Sequence, residues 1–224
     1  MDESEKLRTK KADRRALLLL LSLLFLFLIS PFAGEGPKGE ILFLLALYWT
    51  FVVATRELID RPAMRWPPLI LAVISLCGTL FAIHSPVRGF MAFNWALMAG
   101  FFGSVCVIMF LHLGRSGPIT SGRLYVSVSL YFLLGIFYFA VFNFLDSLVP
   151  GSFVTSALPA GTRLNPYSHL YFSMTTLTTL GYGDIVPATP MARMLSVLEA
   201  ATGVLYIAIT VARLVAAYQS EDSA

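Results

Sequence analysis

Charge is what this chain has least of. Asp and Glu number 13 and Lys and Arg 16, so charged residues fill 13% of 224 positions, about half the share of an ordinary soluble domain. A conventional water-facing globule is excluded. Cysteine is scarce too: Cys77 and Cys106 both sit inside apolar runs, which excludes a disulfide scaffold and makes both reduced packing residues. There are three histidines, and no His-Glu-x-x-His, Gly-x-Ser-x-Gly or Cys/His cluster, so the chain carries no signature of a membrane enzyme. Apolar residues reach 57%, which rules out disorder.

The few charges are crowded at one end. Asp2, Glu3, Glu5, Lys6, Arg8, Lys10, Lys11, Asp13, Arg14 and Arg15 fill most of the first fifteen positions, whereas the long apolar runs hold only Glu199 and Arg213. Those runs are Ala16–Ala33, Ile41–Thr55, Pro67–Ile83, Phe90–Leu113, Leu124–Phe144 and Met194–Tyr218. A helix crossing the hydrocarbon layer needs about 20 residues, so six spans are expected, the second short unless its flanks join it. The first run is longer than a signal-peptide core and lacks a clear cleavage site, so it reads as a retained helix.

With the N-terminus inside, the inner segments collect Lys6, Arg8, Lys10, Lys11, Arg14, Arg15, Arg56, Arg61, Arg65, Arg115, Arg123 and Arg213, against Lys38, Arg88, Arg163 and Arg193 outside. That bias puts both termini in the cytoplasm of a multi-pass chain in a plasma or bacterial inner membrane. The lipid bilayer, not nucleic acid, is the implied surroundings.

Between the fifth and sixth runs, Asp146 to Arg193 falls on the outer side. Ser147–Asn165 is rich in Gly, Pro, Ser and Thr and reads as an exposed loop. A short helix is expected next, with Asn165 as N-cap and Pro166 at its first position. At about thirteen residues it is too short to span. Followed by Gly-Tyr-Gly-Asp, it reads as a re-entrant element, tolerated at depth where protein buries it or it lines a watery path.

The run Thr178-Thr179-Leu180-Gly181-Tyr182-Gly183-Asp184 resembles the selectivity filter of the potassium channel family. The resemblance implies that carbonyls of Thr179, Leu180, Gly181 and Tyr182, with the Thr179 hydroxyl, replace the water shell of K+ where copies meet around an axis. Gly181 and Gly183 supply the positive φ values that such a backbone needs. Tyr182 would brace the filter from behind, and Asp184 would concentrate cations at the outer mouth. The preceding helix would aim its partly negative C-terminal end at the bilayer centre.

The likeness continues beyond the filter. Pro187, Arg193 and Gly203 stand at the spacings of simple family members, and over Leu124–Tyr218 the resemblance is good. By this match Gly203 is the gating hinge of the pore-lining helix, and Val204, Ile207 and Val211 line the cavity. Taken alone, Gly203 reads equally as a close helix contact, and the apolar stripe as a lipid face. Tyr171 and Phe172 replace the tryptophan pair often found in the pore helix. Tyr171 keeps a hydroxyl that can reach Asp184, Phe172 offers no donor to Tyr182, and Thr176 is the substitute. Thr175 stands where some members carry a glutamate. Glu199 is ionisable inside a span and so faces protein or water; it either supplies that missing carboxylate by bonding Ser173 or Thr175, or pairs with another polar neighbour without bearing on conduction.

The expected fold is therefore all-α: six transmembrane helices with a re-entrant pore helix and filter between the fifth and sixth, assembled as a homotetramer because one loop supplies a quarter of a ring. The divisions are a basic N-terminal segment 1–15, a four-helix membrane domain 16–122, a pore domain 123–218 and a short tail 219–224. Phe90–Leu113 carries no Lys or Arg, and steep voltage sensing needs several charges, so the front half is a scaffold or a sensor of another stimulus. His84 and His169 near the outer face are candidate proton sensors. No cytoplasmic ligand domain and no cofactor are expected, K+ being the permeant ligand. The implied function is passive K+ conduction; the alternatives are a non-conducting regulatory subunit and a coupled cation transporter.

Overall fold

The apolar runs fold as helices because only internal backbone bonding satisfies every N–H and C=O where water is excluded. The computed structural model describes residues 3–34, 37–57, 62–84, 88–113, 121–155, 164–165 and 167–222. In chain order come α1 (Glu3–Ile29) with a 3-10 turn (Ser30–Gly34), α2 (Pro37–Glu57), α3 (Pro62–His84), α4 (Arg88–Leu113), α5 (Ser121–Leu148), β1 (Phe153–Thr155), α6 (Ser168–Leu177), β2 (Ile185–Pro187) and α7 (Pro190–Asp222).

Among the described residues, four stretches are long and apolar enough to cross a membrane: Lys10–Phe32, Gly89–Leu111, Ser121–Leu148 and Pro190–Arg213. The second and third helices have shorter apolar cores, Ile41–Thr55 and Leu69–Thr79, because their ends carry Lys38, Glu40, Arg56 and Glu57 in α2 and Arg65 in α3. The chain is a helical membrane protein. Of the expected link at 114–122, residues 114–120 lie outside the described residues.

Two compact units form. One comprises Met1–Pro67, Ser104–Leu133 and Tyr206–Ala224, the other Pro68–Gly103 and Leu134–Leu205. In the first, α1 buries Ala16, Leu19, Leu23 and Leu26 at spacings of three and four, and α2 buries Phe43, Leu47, Thr50 and Ala54 the same way. This is the seam by which two helices interlock. The buried Thr50 hydroxyl donates to the Ala46 carbonyl at 2.9 Å, so it brings no unpaired polar group into the seam. The Tyr206 hydroxyl of α7 donates to the Ser127 carbonyl of α5 at 2.6 Å, and the Arg213 guanidinium lies 5.5 Å from the centre of the Phe110 ring.

In the second unit, polar side chains pair across helices as they do where lipid offers no alternative partner. Asn94 of α4 donates to the Thr79 hydroxyl of α3 at 2.9 Å. Trp95 meets Phe139 edge-on at 5.3 Å. Phe142, Phe153 and Phe172 pack within 5.0 to 5.3 Å of one another, together with Tyr138, Leu145, Leu164, Ile185 and Ala192.

That cluster corrects the exposed loop expected over Ser147–Asn165. Phe153 is buried, and β1 pairs antiparallel with β2, Val154 opposite Val186. Turn-forming residues flank a strand whose one aromatic has a core to enter, and packing overrides local composition. Residues 156–163 lie outside the described residues.

The ribbon is tied to α5 by Asp146, whose Oδ1 accepts the N–H groups of Gly151 at 3.1 Å and Ser152 at 3.2 Å. Asp146→Ala removes the side-chain acceptor of both N–H groups, leaving Ser152 only the Val149 carbonyl at 3.2 Å, and is expected to lower stability by about 1 kcal/mol. Thermal melting in detergent checks this, and Asp146→Asn, which keeps one acceptor, should lose less.

Candidate functional site

α6 has ten residues, about 15 Å of helix. Its start differs from the expected one. The Asn165 side chain accepts the Tyr167 N–H at 3.1 Å and its carbonyl accepts the Ser168 N–H at 2.9 Å. Asn165 thus closes an Asx turn, the local bond its short amide favours. The N-cap falls on Tyr167, which makes no side-chain capping bond; Pro166 lies outside the described residues.

At the other end Thr178 is the C-cap, its N–H and hydroxyl both reaching the Met174 carbonyl, at 3.0 and 2.7 Å. The chain then leaves the helix in an alternating conformation. φ is positive at Thr179 (58°), Gly181 (52°) and Gly183 (78°), while Leu180 and Tyr182 stay on the ordinary side. Alternating handedness turns successive carbonyls to one side of the strand, the arrangement that a stack of cation sites requires. The two glycines adopt it without a Cβ penalty. Thr179 does not, and a left-handed β-branched residue costs about 1–2 kcal/mol. Its place at the end of the helix fixes it: the Thr179 N–H is bound by the Thr176 carbonyl at 2.9 Å. The sequence reading missed this strained position, since nothing in the residue type announces it.

The alternating segment hangs from α6 by one acceptor. The Thr175 carbonyl takes the N–H groups of Leu180 at 2.8 Å and Gly181 at 3.1 Å, and the Thr175 hydroxyl donates back to the Phe172 carbonyl at 2.9 Å. Leu180 and Tyr182 themselves are 54% and 68% exposed in the single chain. Tyr171 reaches Asp184 with a side-chain hydrogen bond; partial desolvation, that bond and the neighbouring Asp184 and Tyr182 charges hold its phenol above the usual range. Phe172 is turned into the aromatic cluster, beside Phe142 and Phe153. His169, expected near the outer face, is buried with its ring edge-on to Phe153 at 5.0 Å.

Behind α6, Glu199 of α7 is fully buried, its Oε1 2.5 Å from the Ser173 Oγ. The same hydroxyl lies 2.7 Å from the Gly135 carbonyl of α5. Three helices therefore meet on one oxygen. Close approach needs small residues: a Cβ on Gly135 would press on Met174, and one on Gly203 would collide with the main-chain carbonyl of Leu177 at the end of α6. The Gly135 contact was not foreseen, and its only trace in the sequence is a lone glycine in an apolar run. Of the pair of readings for Gly203, the geometry realises the close contact. Val204, Ile207 and Val211 are exposed in the single chain.

Residues 127–220 match the family described as "Ion channel". A 67-residue stretch is 39% identical to two pore potassium channel c of Oryza sativa subsp. japonica, covering 30% of this chain and 12% of that protein. A 49-residue stretch is 41% identical to two-pore potassium channel 4 of Arabidopsis thaliana, covering 21% of this chain and 17% of that one. The matches thus span less than a fifth of either relative's length. No solved structure matches the chain. The alternating backbone at 179–183 lies inside the segment, residues 127–220, that matches the ion channel family, and stretches of this chain are similar to two potassium channels.

Proposed function

We propose that this chain is one subunit of a potassium-selective channel in which four copies surround an axis and K+ passes passively down its gradient. The observation that carries this reading is the backbone of Thr179 to Gly183, left-handed at alternate residues and slung from the Thr175 carbonyl. A dehydrated cation is stable at membrane depth only where oxygens replace its water, and neutral carbonyls do so weakly enough to let it leave. Thr179, Leu180, Gly181 and Tyr182 provide those oxygens, and Asp184 attracts cations to the entrance.

The homotetramer is supported by what the single chain leaves bare. α7 buries 22% of its apolar window against 56% for α5, and Met191, Met194, Val197, Val204, Ile207 and Val211 all face outward. Neighbouring copies cover the filter-side part of this surface, and Val204, Ile207 and Val211 line the cavity below. Six spans with both termini in the cytoplasm complete the topology, α2 and α3 crossing with the help of their flanks. No cation lies within residues 89–113 of α4, so opening is not driven by a conventional voltage sensor, and the front four helices seat the pore in lipid.

Purified protein in liposomes tests this. K+ efflux that Ba2+ blocks and that Na+ cannot replace is expected. Equal Na+ and K+ flux, flux that depends on a second ion gradient, or none at all under any condition overturns it.

A further inference from the structure

The junction behind the filter contains more hydrogen-bond contacts than its serine has hydrogens. Ser173 Oγ lies 2.7 Å from the Gly135 carbonyl and 2.5 Å from Glu199 Oε1. A serine hydroxyl carries a single hydrogen, and a backbone carbonyl can only accept. The Ser173 hydrogen therefore goes to Gly135. The second contact, between two oxygens at 2.5 Å, needs a hydrogen of its own, and the Glu199 carboxyl is the group that can bring one.

The surroundings agree with a neutral acid. Among the described residues, Glu199 Oε2 has no hydrogen-bond partner and no cation is paired with the carboxyl. A buried carboxylate without a counter-charge and with one acceptor site used is the arrangement proteins avoid. The groups facing it are accounted for. From α6 comes Ser173. From α5 comes the Tyr138 phenol, which is 3.1 Å from the Thr202 hydroxyl. Thr202 gives its own hydrogen to the Leu198 carbonyl at 2.7 Å, so Tyr138 donates to Thr202 and brings no proton to Glu199.

We propose that Glu199 works as a protonated carboxylic acid, donating to Ser173 and thereby suspending α6 between α5 and α7, so that removing its proton releases the pore helix and disables the filter. Glu199 is a positioning residue. It touches no ion; it acts through Ser173, two residues before the Thr175 carbonyl that anchors Leu180 and Gly181. The inference rests on the channel reading above for its consequence, though not for the proton itself.

The test uses the full chain in liposomes. Infrared difference spectra of wild type against Glu199→Gln read the protonation state directly, and K+ efflux is followed from neutral to strongly alkaline pH. A protonated-acid carbonyl band at neutral pH, assigned to Glu199 by its absence from the Gln variant, is expected. Wild-type flux should fall as that band disappears with rising pH. Glu199→Ala should cut neutral-pH flux at least about tenfold, as expected when a buried hydrogen-bonding group loses its partner. Glu199→Gln, whose amide N–H can replace the acid hydrogen, should rescue most of that loss and lack the alkaline decline. An ionised carboxylate at neutral pH, or Gln and Ala variants equally impaired, overturns the proposal. The two readings fail separately: the band without any flux sinks the channel, and flux without the band sinks the proton.

Discussion

Gly203→Ala is expected to abolish K+ flux and to lower the melting temperature of the assembly. The methyl group would enter the space held by the Leu177 carbonyl, and a backbone atom at the end of α6 cannot step aside as a side-chain tip can. Overpacking of this kind costs about 1–3 kcal/mol per chain, and in the proposed ring of four copies the penalty is met four times. Worse for conduction, the displaced residue is the last of α6, next to the Thr178 cap and the strained Thr179. A purely hinge-like Gly203 predicts another outcome. Alanine is a good helix former, so it would alter opening while leaving stability intact or improved. Flux and melting measured on the same preparation distinguish the two, and wild-type flux with unchanged melting would refute the contact argument.

Gly181→Ala should destroy selectivity while leaving the fold in place. At φ 52° an L side chain costs about 1–2 kcal/mol. Over the four copies of the proposed assembly the lower figure amounts to about 4 kcal/mol, roughly a thousandfold in the population of the proposed conducting filter. The strand relieves the strain by rotating that peptide, which turns a carbonyl away from the ion path. Gly151→Ala is the matched control. It has φ 82° and, like Gly181, nothing within 4 Å of the added Cβ, so it carries the same kind of strain in a turn remote from the filter sequence. It should lower stability by about 1 kcal/mol and leave the Na+ to K+ flux ratio unchanged. The ratio measured for both variants decides: similar ratios would mean that the conformation of Gly181 is not what selects.

Not all of the site was equally legible. The alternating strand at 179–183 was, because its geometry is local: positive φ at two glycines follows from residue type, and the helix before it follows from a short apolar stretch. Asn165 misled at the N-terminus since an asparagine there can cap a helix or close an Asx turn, and both are local bonds of similar worth. Thr179 was missed for the opposite reason. Its strain is imposed by the end of α6 and by the hydrogen bonds of its neighbours, not by anything threonine prefers.

From residue order alone came the membrane class, the spacing of the apolar runs, the short helix between the last two of them and the alternating strand, all consequences of hydrophobic length and glycine's freedom. Tertiary structure decided which face of each helix meets protein, that Phe172 enters an aromatic cluster, that β1 pairs with β2, and that Glu199, Ser173 and Gly135 converge. The physical reason is that lipid is as apolar as leucine. A helix that is hydrophobic all round carries no stripe to say which side turns inward, and the choice falls to small residues and matched polar groups whose partners lie on other helices.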